Sequence, residues 1–496
     1  MIETSSATAG SALDPAREEF LTRPLGILIG RHASPAVASM LFMACYQIVD
    51  GVMVGRALGP EAIASVNILY PIVAFFSGLA VMIGVGGNAR IAVLLGAGKP
   101  REAGRILGLI TCLGIGLGVI ATFLGVLFMP QVLGFLGTSG RLGYFAGGYL
   151  RGVLPFFVFM ILVFILEQST RNDGKPNFAS AVMAGCAVLN IILDYLFLFV
   201  IGTGITGAAV ASGLSQTLGA VVFIGYFVRK TLAGRRSRIA ARAGGLCFGR
   251  PNWNLDVVGT IVVNGASEFF NSLSMGITTF LFNRLILVYV GALGVAALTV
   301  VQYPMMLGIM VIMGIGAGTQ PIYSYNHGAG LHQRVRGTLR RSLGVSTAVG
   351  LLVFLAMGAP ARFIAGLFLP GHAEALALTE EVSRIVRWSM LVLPLAMVAS
   401  TYFTALEQAG KSLVVALSRG LVLPVAGLLL FPLLWGATGI WIVPIFAEGL
   451  TVLIAIGCYC FGGTVTKRVL EGAAVRATLR VIKATQTDVQ TDAQTV

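Results

Sequence analysis

Residues 106–140 read ILGLITCLGIGLGVIATFLGVLFMPQVLGFLGTSG, a stretch without a single Asp, Glu, Lys or Arg. A helix needs about 20 mostly apolar residues to cross the hydrocarbon of a bilayer. The stretch is therefore long enough to span a membrane. Uncharged runs of similar or greater length cover 62–89, 285–326 and 420–447. Long uncharged runs of this kind thus recur along the whole chain.

Composition supports the same conclusion. Of the 496 residues, 56% are hydrophobic and 11% are charged, and the mean hydropathy is +0.89. A soluble domain carries about 25% charged residues, so an ordinary soluble enzyme is excluded. The net charge of +14 does not indicate nucleic-acid binding, because the basic residues lie mainly in loops between apolar runs. In that position they report membrane orientation.

Gly, Pro and charged residues divide the apolar runs into twelve predicted spanning helices. Their ranges are 34–56, 61–90, 104–130, 144–168, 176–201, 205–229, 254–289, 293–326, 335–358, 384–408, 412–435 and 438–463. Most basic residues then fall on alternate loops of one side, which places those loops and both termini in the cytoplasm. The fold class predicted is an all-α, multi-pass membrane protein.

The chain divides near its midpoint, where 229–250 is rich in Arg and holds no acidic residue. We read this stretch as a cytoplasmic linker between two halves rather than a nucleic-acid site. The predicted segments are an N-terminal tail (1–29), an N-lobe (30–230), a linker (231–252), a C-lobe (253–464) and a C-terminal tail (465–496).

The two halves also resemble each other in sequence. Gly96-Ala97-Gly98 matches 328–330, and Gly207 matches Gly439, both at an offset of 232 residues. Tyr70-Pro71 matches Tyr303-Pro304 at an offset of 233, and Leu166-Glu167-Gln168 matches 406–408 at 240. An even number of helices in each half predicts two six-helix lobes of the same orientation. A pseudo-twofold axis along the membrane normal relates them, with a central cavity between them.

Several short motifs occur in a recognisable order. They are YQIVDG at 46–51, GVGG at 84–87, NIILDY at 190–195, GTQP at 318–321 and YNHGA at 325–329. This ordered set resembles the MATE family, the multidrug and toxic compound extrusion transporters. The resemblance implies twelve helices in two lobes, alternating access, and export of organic cations driven by inward H⁺ or Na⁺.

Acidic residues within predicted spans are functional candidates, because a carboxylate at mid-membrane costs about 2.5 to 3.5 kcal/mol on insertion scales. Asp50 lies toward the outer end of the first helix. Asn190 and Asp194, four residues apart, share one face of the fifth. Carboxylate and amide oxygens suit a hard cation such as Na⁺, and a buried carboxyl can also carry a proton.

The resemblance to the MATE family implies that Asp50, Asn190 and Asp194 form an ion site with a hydroxyl residue. That residue maps onto Ser212, with Thr206 as the alternative. Two other readings stay open at this stage: a polar packing cluster, or an ion pair between Asp50 and Arg56.

Further acids divide between coupling and structural roles. Some family members place a coupling acid in the seventh helix, which makes Glu268 a second candidate, although it could instead be interfacial. Glu167 and Glu407 are expected to pair with Arg171 and Lys411. Glu448 is expected to pair with Arg419 across the C-lobe.

A soft, aromatic wall able to accept cations of different shapes is expected at Tyr70, Gln302, Tyr303 and Met306. The predicted function is secondary active multidrug efflux by antiport with H⁺ or Na⁺. The alternative is a lipid-linked saccharide flippase, which would require a basic cavity. We expect no enzyme activity, no cofactor besides the coupling ion, cationic amphipathic substrates, no nucleic-acid partner, and a monomer in a bacterial inner membrane.

Overall fold

The computed structural model describes residues 15–135, 140–236, 245–251, 253–358 and 373–492, with only the backbone for 461–492. Within these ranges all regular structure is helical. The α-helices are α1 (Pro15–Thr22), α2 (Leu25–Leu58), α3 (Pro60–Gly96), α4 (Pro100–Leu127), α5 (Met129–Phe135), α6 (Gly140–Val153), α7 (Phe157–Asn172), α8 (Pro176–Tyr195), α9 (Ile205–Arg236), α10 (Leu255–Tyr289), α11 (Ala292–Gly328), α12 (His332–Gly358), α13 (Ala373–Val386), α14 (Ser389–Ala405), α15 (Ala409–Leu417) and α16 (Leu423–Asp492).

Local sequence explains many helix starts. Pro60, Pro100 and Pro176 each occupy the first turn of a helix, where the missing N–H costs no hydrogen bond. At the start of α10 the side chain of Asn254 accepts a hydrogen bond from the backbone N–H of Asp256, 2.9 Å away. This is an N-cap, which satisfies a free donor of the first turn.

The described helices account for the predicted number of membrane crossings. Ten are long and apolar enough to span, and eleven if the bent pair Leu376–Val386 and Ser389–Ala405 counts as one span. One of the ten, Ala409–Cys460, has 52 residues, about 80 Å of helix. That is too long for one crossing, and Gly436 breaks it with a φ of 57°. Two crossings there give twelve.

Three predicted boundaries were wrong. The last helix, predicted to end at position 463, continues to Asp492. The first spanning helix begins at Leu25, nine residues before the predicted start at position 34. The tenth, predicted as one helix over 384–408, is two helices bent by 45° next to Trp388. At this bend the N–H of Trp388 reaches the carbonyl of Ile385, a three-residue spacing that breaks the regular α-helical pattern.

Helices α2–α9 form the N-lobe and α10–α16 the C-lobe, and the lobes meet along a seam where α3 crosses α10 and α2 crosses α11. Glycine permits the close approach. A Cβ atom on Gly86 would lie 2.1 Å from the carbonyl oxygen of Ile261, and one on Gly318 would lie 2.5 Å from the Cα of Ala33. The seam is thus backbone packed on backbone.

The seam closes at the end of the bundle that carries the turns after α3, α7, α11 and α14, which we call the basic face. There Arg90 of the N-lobe donates to Glu407 of the C-lobe at 2.9 Å. Tyr325 of α11 donates its hydroxyl to the carbonyl of Asn172, 2.7 Å away. Polar contacts between residues more than 150 positions apart therefore hold the lobes together at this face.

Helix α1 lies over the seam at the basic face. Its fully buried Phe20 ring stacks on Tyr325, with ring centroids 4.2 Å apart. Arg17 donates to the carbonyl of Gly96 in the N-lobe at 3.2 Å. The carbonyl of Phe20 accepts from Asn326 and Arg334 in the C-lobe. This short helix therefore contacts both lobes.

The hydrogen bonds at the ends of two helices correct one of the predicted matches between the two halves of the chain. At the end of α7 the N–H groups of residues 173–175 bond to the carbonyls of 169, 171 and 170, and residues 406–408 repeat this pattern at the end of α14. Gly174 therefore corresponds to Glu407, at an offset of 233. The match of Glu167 to Glu407 at 240 is wrong, because the shared letters lie at different heights on the two helices.

Candidate functional site

The structure brings Asp50, Asn190 and Asp194 together inside the N-lobe. Asp50 lies eight residues before the end of α2, and Asn190 and Asp194 lie on the last turns of α8. Asn190 and Asp194 are buried, while Asp50 is half-buried. The two carboxyl groups interact electrostatically. The i, i+4 spacing on α8 places the amide and one carboxyl on the face that meets α2.

Four oxygen atoms at this place are buried and have no hydrogen-bond partner: Oδ1 of Asp50, Oδ1 of Asn190, and both carboxylate oxygens of Asp194. Buried polar atoms are almost always paired, so four oxygens together suit a site that binds a cation or a proton. Among the residues that the structure describes, no three His, Cys, Asp or Glu side chains come together as they do in a typical zinc site. Two carboxyls and an amide instead fit a small monovalent cation or a proton.

Ser212 of α9 completes the group. The amide nitrogen of Asn190 donates to its hydroxyl oxygen at 3.1 Å, which leaves the amide oxygen of Asn190 free to face a cation. The alternative, Thr206, donates its hydroxyl to the carbonyl of Gly148 at 3.1 Å and is therefore engaged elsewhere. No ion pair joins Asp50 to Arg56, both of which lie in the described part of α2.

Two tyrosines that the sequence did not assign to the site flank it. Tyr46 and Tyr149 both interact electrostatically with Asp50 and Asp194. Tyr46 precedes Asp50 by four residues, so helical spacing could have indicated it. Tyr149 lies on α6, and no local pattern connects it to α2 or α8.

The backbone is irregular next to the site. Leu196–Val200, directly after α8, forms a π-helical turn, and a second such turn covers Ser418–Val422 in the C-lobe. Turns of this kind are frequent at functional sites. The first follows Asp194 after one residue, and the second carries Arg419.

A small cavity adjoins the site. It offers about 10 Å³ of space for the centre of a water molecule, roughly what one water requires. Its polar lining comprises Ser39, Tyr46, Asn190, Ser215 and Gln216, and its other walls are Met43, Met183, Cys186 and Ala187. The N-lobe thus holds room for a small polar occupant beside Asn190.

Glu268 lies outside this group, on α10 of the C-lobe. It lies 13 residues into α10, about 20 Å along the helix, and is therefore not interfacial. Its charged neighbour is Arg419. Arg419 also donates to Glu448 at 2.7 Å, which is the pair predicted from sequence.

The two remaining acids are paired at the basic face. Arg171 donates a hydrogen bond to Glu167 and forms an ion pair with it, as predicted, and both side chains are buried. Glu407 pairs with Arg90 rather than with Lys411, which lies over the ring of Phe403 instead. The prediction for Glu407 was wrong because Arg90 comes from the other lobe.

The residues expected in a substrate cavity are only partly described. Gln302 and Tyr303 are exposed on α11, and Met306 is half-buried. The side chain of Tyr70 lies outside the described residues. The role of these four residues in substrate binding stays a prediction.

Comparisons with known proteins agree with this architecture. A family model described as MatE matches residues 35–196 and 267–428, two segments that start 232 residues apart. Multidrug export protein MepA of Staphylococcus aureus (strain MRSA252) is 26% identical over 429 residues, covering 85% of this chain and 90% of that protein. The protein of the same name from Staphylococcus saprophyticus shows the same identity and coverage.

Solved structures share the fold. A crystal structure of MATE in complex with MaL6 superposes with a TM-score of 0.81 at 23% identity, covering 94% of this chain and 100% of that one. An outward-facing conformation of a multidrug resistance MATE family transporter of the MOP superfamily gives 0.80 at 23% identity, with coverages of 88% and 95%. The predicted all-helical, two-lobe fold is confirmed.

Proposed function

This chain belongs to the MatE family of membrane transporters, and we propose that it is a secondary active multidrug efflux antiporter. In this proposal, inward movement of H⁺ or Na⁺ drives the export of small organic cations by alternating access. Relatives named multidrug export proteins support the choice of small-molecule substrates. Like other members of the family, it is a transporter and not an enzyme.

The observation that carries the proposal is the group of unpartnered oxygens on Asp50, Asn190 and Asp194. Buried acids in a membrane are costly and are kept where they bind or move charge. A site that binds a cation in one access state and releases it in the other can transfer free energy to a second ligand only if its affinity differs between the states. Convergence of acidic groups favours antiport over the flippase alternative, which would require basic groups.

The orientation follows from charge. We propose that the basic face is cytoplasmic, so that both termini lie inside the cell and the conformation described is closed toward the cytoplasm. The similarity to an outward-facing transporter supports this assignment. We further propose a monomer in a bacterial inner membrane, where ion gradients of the required sign exist.

Reconstituted protein tests the mechanism. We expect Asp50→Asn and Asp194→Asn each to abolish efflux of a fluorescent cation driven by an imposed gradient, because each removes a charge that the coupling ion neutralises. Separate pH and Na⁺ gradients identify the ion. Glu102→Gln is the matched control, since Glu102 is an exposed acid paired only with Lys99 at the surface. Undiminished gradient-driven efflux in both aspartate variants would contradict the proposal.

A further inference from the structure

The C-lobe holds a buried ion pair at mid-membrane that the proposed transport mechanism does not use. Nε of Arg419 lies 2.7 Å from Oε1 of Glu448, and their side chains are only 18% and 11% exposed. The π-helical turn Ser418–Val422 carries the arginine. An arginine inside a bilayer is as costly as an acid, so its presence requires a reason.

The internal repeat places this pair on the N-lobe cavity. At the offsets of 232 and 233 residues that the helix ends show, Arg419 corresponds to Ala187 or Cys186, and Glu448 corresponds to Gln216. All three N-lobe residues line the water-sized cavity beside Asn190. The same location therefore holds a small void in one lobe and a guanidinium in the other.

The immediate surroundings of Arg419 in the C-lobe carry more acidic than basic groups. Arg419 is the charged neighbour of both Glu448 and Glu268. Oε2 of Glu448 is buried without a partner. Without Arg419, Glu448 would form an acidic site inside the C-lobe with no cation beside it. The arginine supplies the cation that such a site would otherwise take from solution.

We propose that Arg419 is a tethered cation that permanently fills the C-lobe counterpart of the cavity beside the N-lobe ion site. Exchange of the coupling ion is thereby confined to the N-lobe. This inference rests on the proposed antiport for its meaning, but cation binding can be measured without transport. Removing the guanidinium should convert the C-lobe into a second, exchangeable cation site.

Thermal unfolding of purified protein in detergent, with guanidinium chloride at low millimolar concentration or NaCl as the probe, tests this directly. In an Asp194→Asn background, where the N-lobe site is disabled, we expect neither probe to raise the unfolding temperature. Adding Arg419→Ala should produce a saturable rise, because guanidinium enters the vacated place beside Glu448. Adding Glu448→Gln as well should abolish that rise.

Two controls keep the result interpretable. Arg384→Ala in the same background removes an exposed arginine of the C-lobe and should show no response to either probe. Should Arg419→Ala fold poorly because Glu448 is left uncompensated, Arg419→Ala with Glu268→Gln removes one of the two carboxyls and keeps the test. The proposal is overturned if guanidinium and Na⁺ leave the Arg419→Ala proteins unchanged, or if Asp194→Asn alone retains a cation response that Glu448→Gln removes.

Discussion

Glu407 is the one residue other than glycine with a positive φ, 57°, in the described part of the chain. Its counterpart in the N-lobe, Gly174, has a φ of 75° and no side chain to strain. A side chain in this left-handed conformation costs about 1 to 2 kcal/mol. What the glutamate provides is the contact with Arg90 across the seam. The strained backbone at Glu407 therefore accompanies an ion pair that joins the two lobes.

This separation of roles gives a prediction. Glu407→Gly loses the ion pair but relieves the backbone, whereas Glu407→Ala loses the ion pair and keeps the strain. We expect the glycine variant to be the more stable of the two by about 1 kcal/mol, measured by thermal unfolding of the purified proteins. Equal stabilities would show that the positive φ carries no cost. In the N-lobe, Gly174→Ala should destabilise, because alanine would have to adopt a positive φ and its Cβ would also lie 2.9 Å from the Cβ of Ala16.

Among single residues, the acids of the candidate site could be predicted from sequence, and their companions could not. Asp50 and Asp194 are conspicuous because each follows a long run without charged residues, and Asn190 follows from helical spacing. Tyr149 and the true partner of Glu407 depend on how distant helices pack. The repeat of three letters at an offset of 240 misled the prediction, because a short match carries no information about helix height.

Pairs of helices show why glycine is so frequent. In the crossing of α3 and α10, a Cβ on Gly265 would lie 1.9 Å from the carbonyl oxygen of Met82. The obstacle is backbone, which cannot rotate away as a side chain could. Composition predicted close helix packing in general terms. It could not indicate which glycines lie at the crossing, because that depends on the angle between helices.

Alanine at this crossing should therefore be harmful. We expect Gly265→Ala to destabilise the protein by about 1 to 3 kcal/mol, the usual cost of overpacking, because α3 and α10 must separate. Gly259→Ala on the same helix is the control, since nothing lies within 4 Å of a Cβ placed there. Thermal unfolding in detergent compares the two. A Gly265→Ala protein as stable as its Gly259→Ala control would mean that the crossing yields without cost.

At the scale of the molecule, the duplication extends to the backbone. Gly59 and Gly291 have φ values of 87° and 85°, Gly98 and Gly330 have 77° and 73°, and Gly204 and Gly436 have 69° and 57°. Each pair is 232 residues apart, which is the offset that the sequence predicted. Local signals thus specified the helices and the lobes. They did not specify the seam, where each contact joins residues of different lobes.

Helix α1 adds an asymmetric element to this symmetric body. Only two residues, Arg23 and Pro24, join it to α2, so we expect α1 to move together with the N-lobe. Its hold on the C-lobe is the stack of Phe20 on Tyr325 and the bonds from Arg334 to the carbonyls of Phe20 and Arg23, 3.2 and 2.8 Å long. Opening the seam at the basic face must break these contacts.

Weakening that hold should shift the balance between access states. We expect Phe20→Ala and Arg334→Ala each to populate a conformation in which the lobes are farther apart at the basic face. Spin labels on cysteines at the equivalent turn positions Lys99 and Leu331, in a background lacking the six native cysteines, measure that separation. Arg340→Ala, an exposed arginine on the same helix as Arg334, is the control. Because α1 closes the seam by contact with both lobes, unchanged distances in the Phe20 and Arg334 variants would mean that α3, α10 and the Arg90–Glu407 pair suffice to keep it shut.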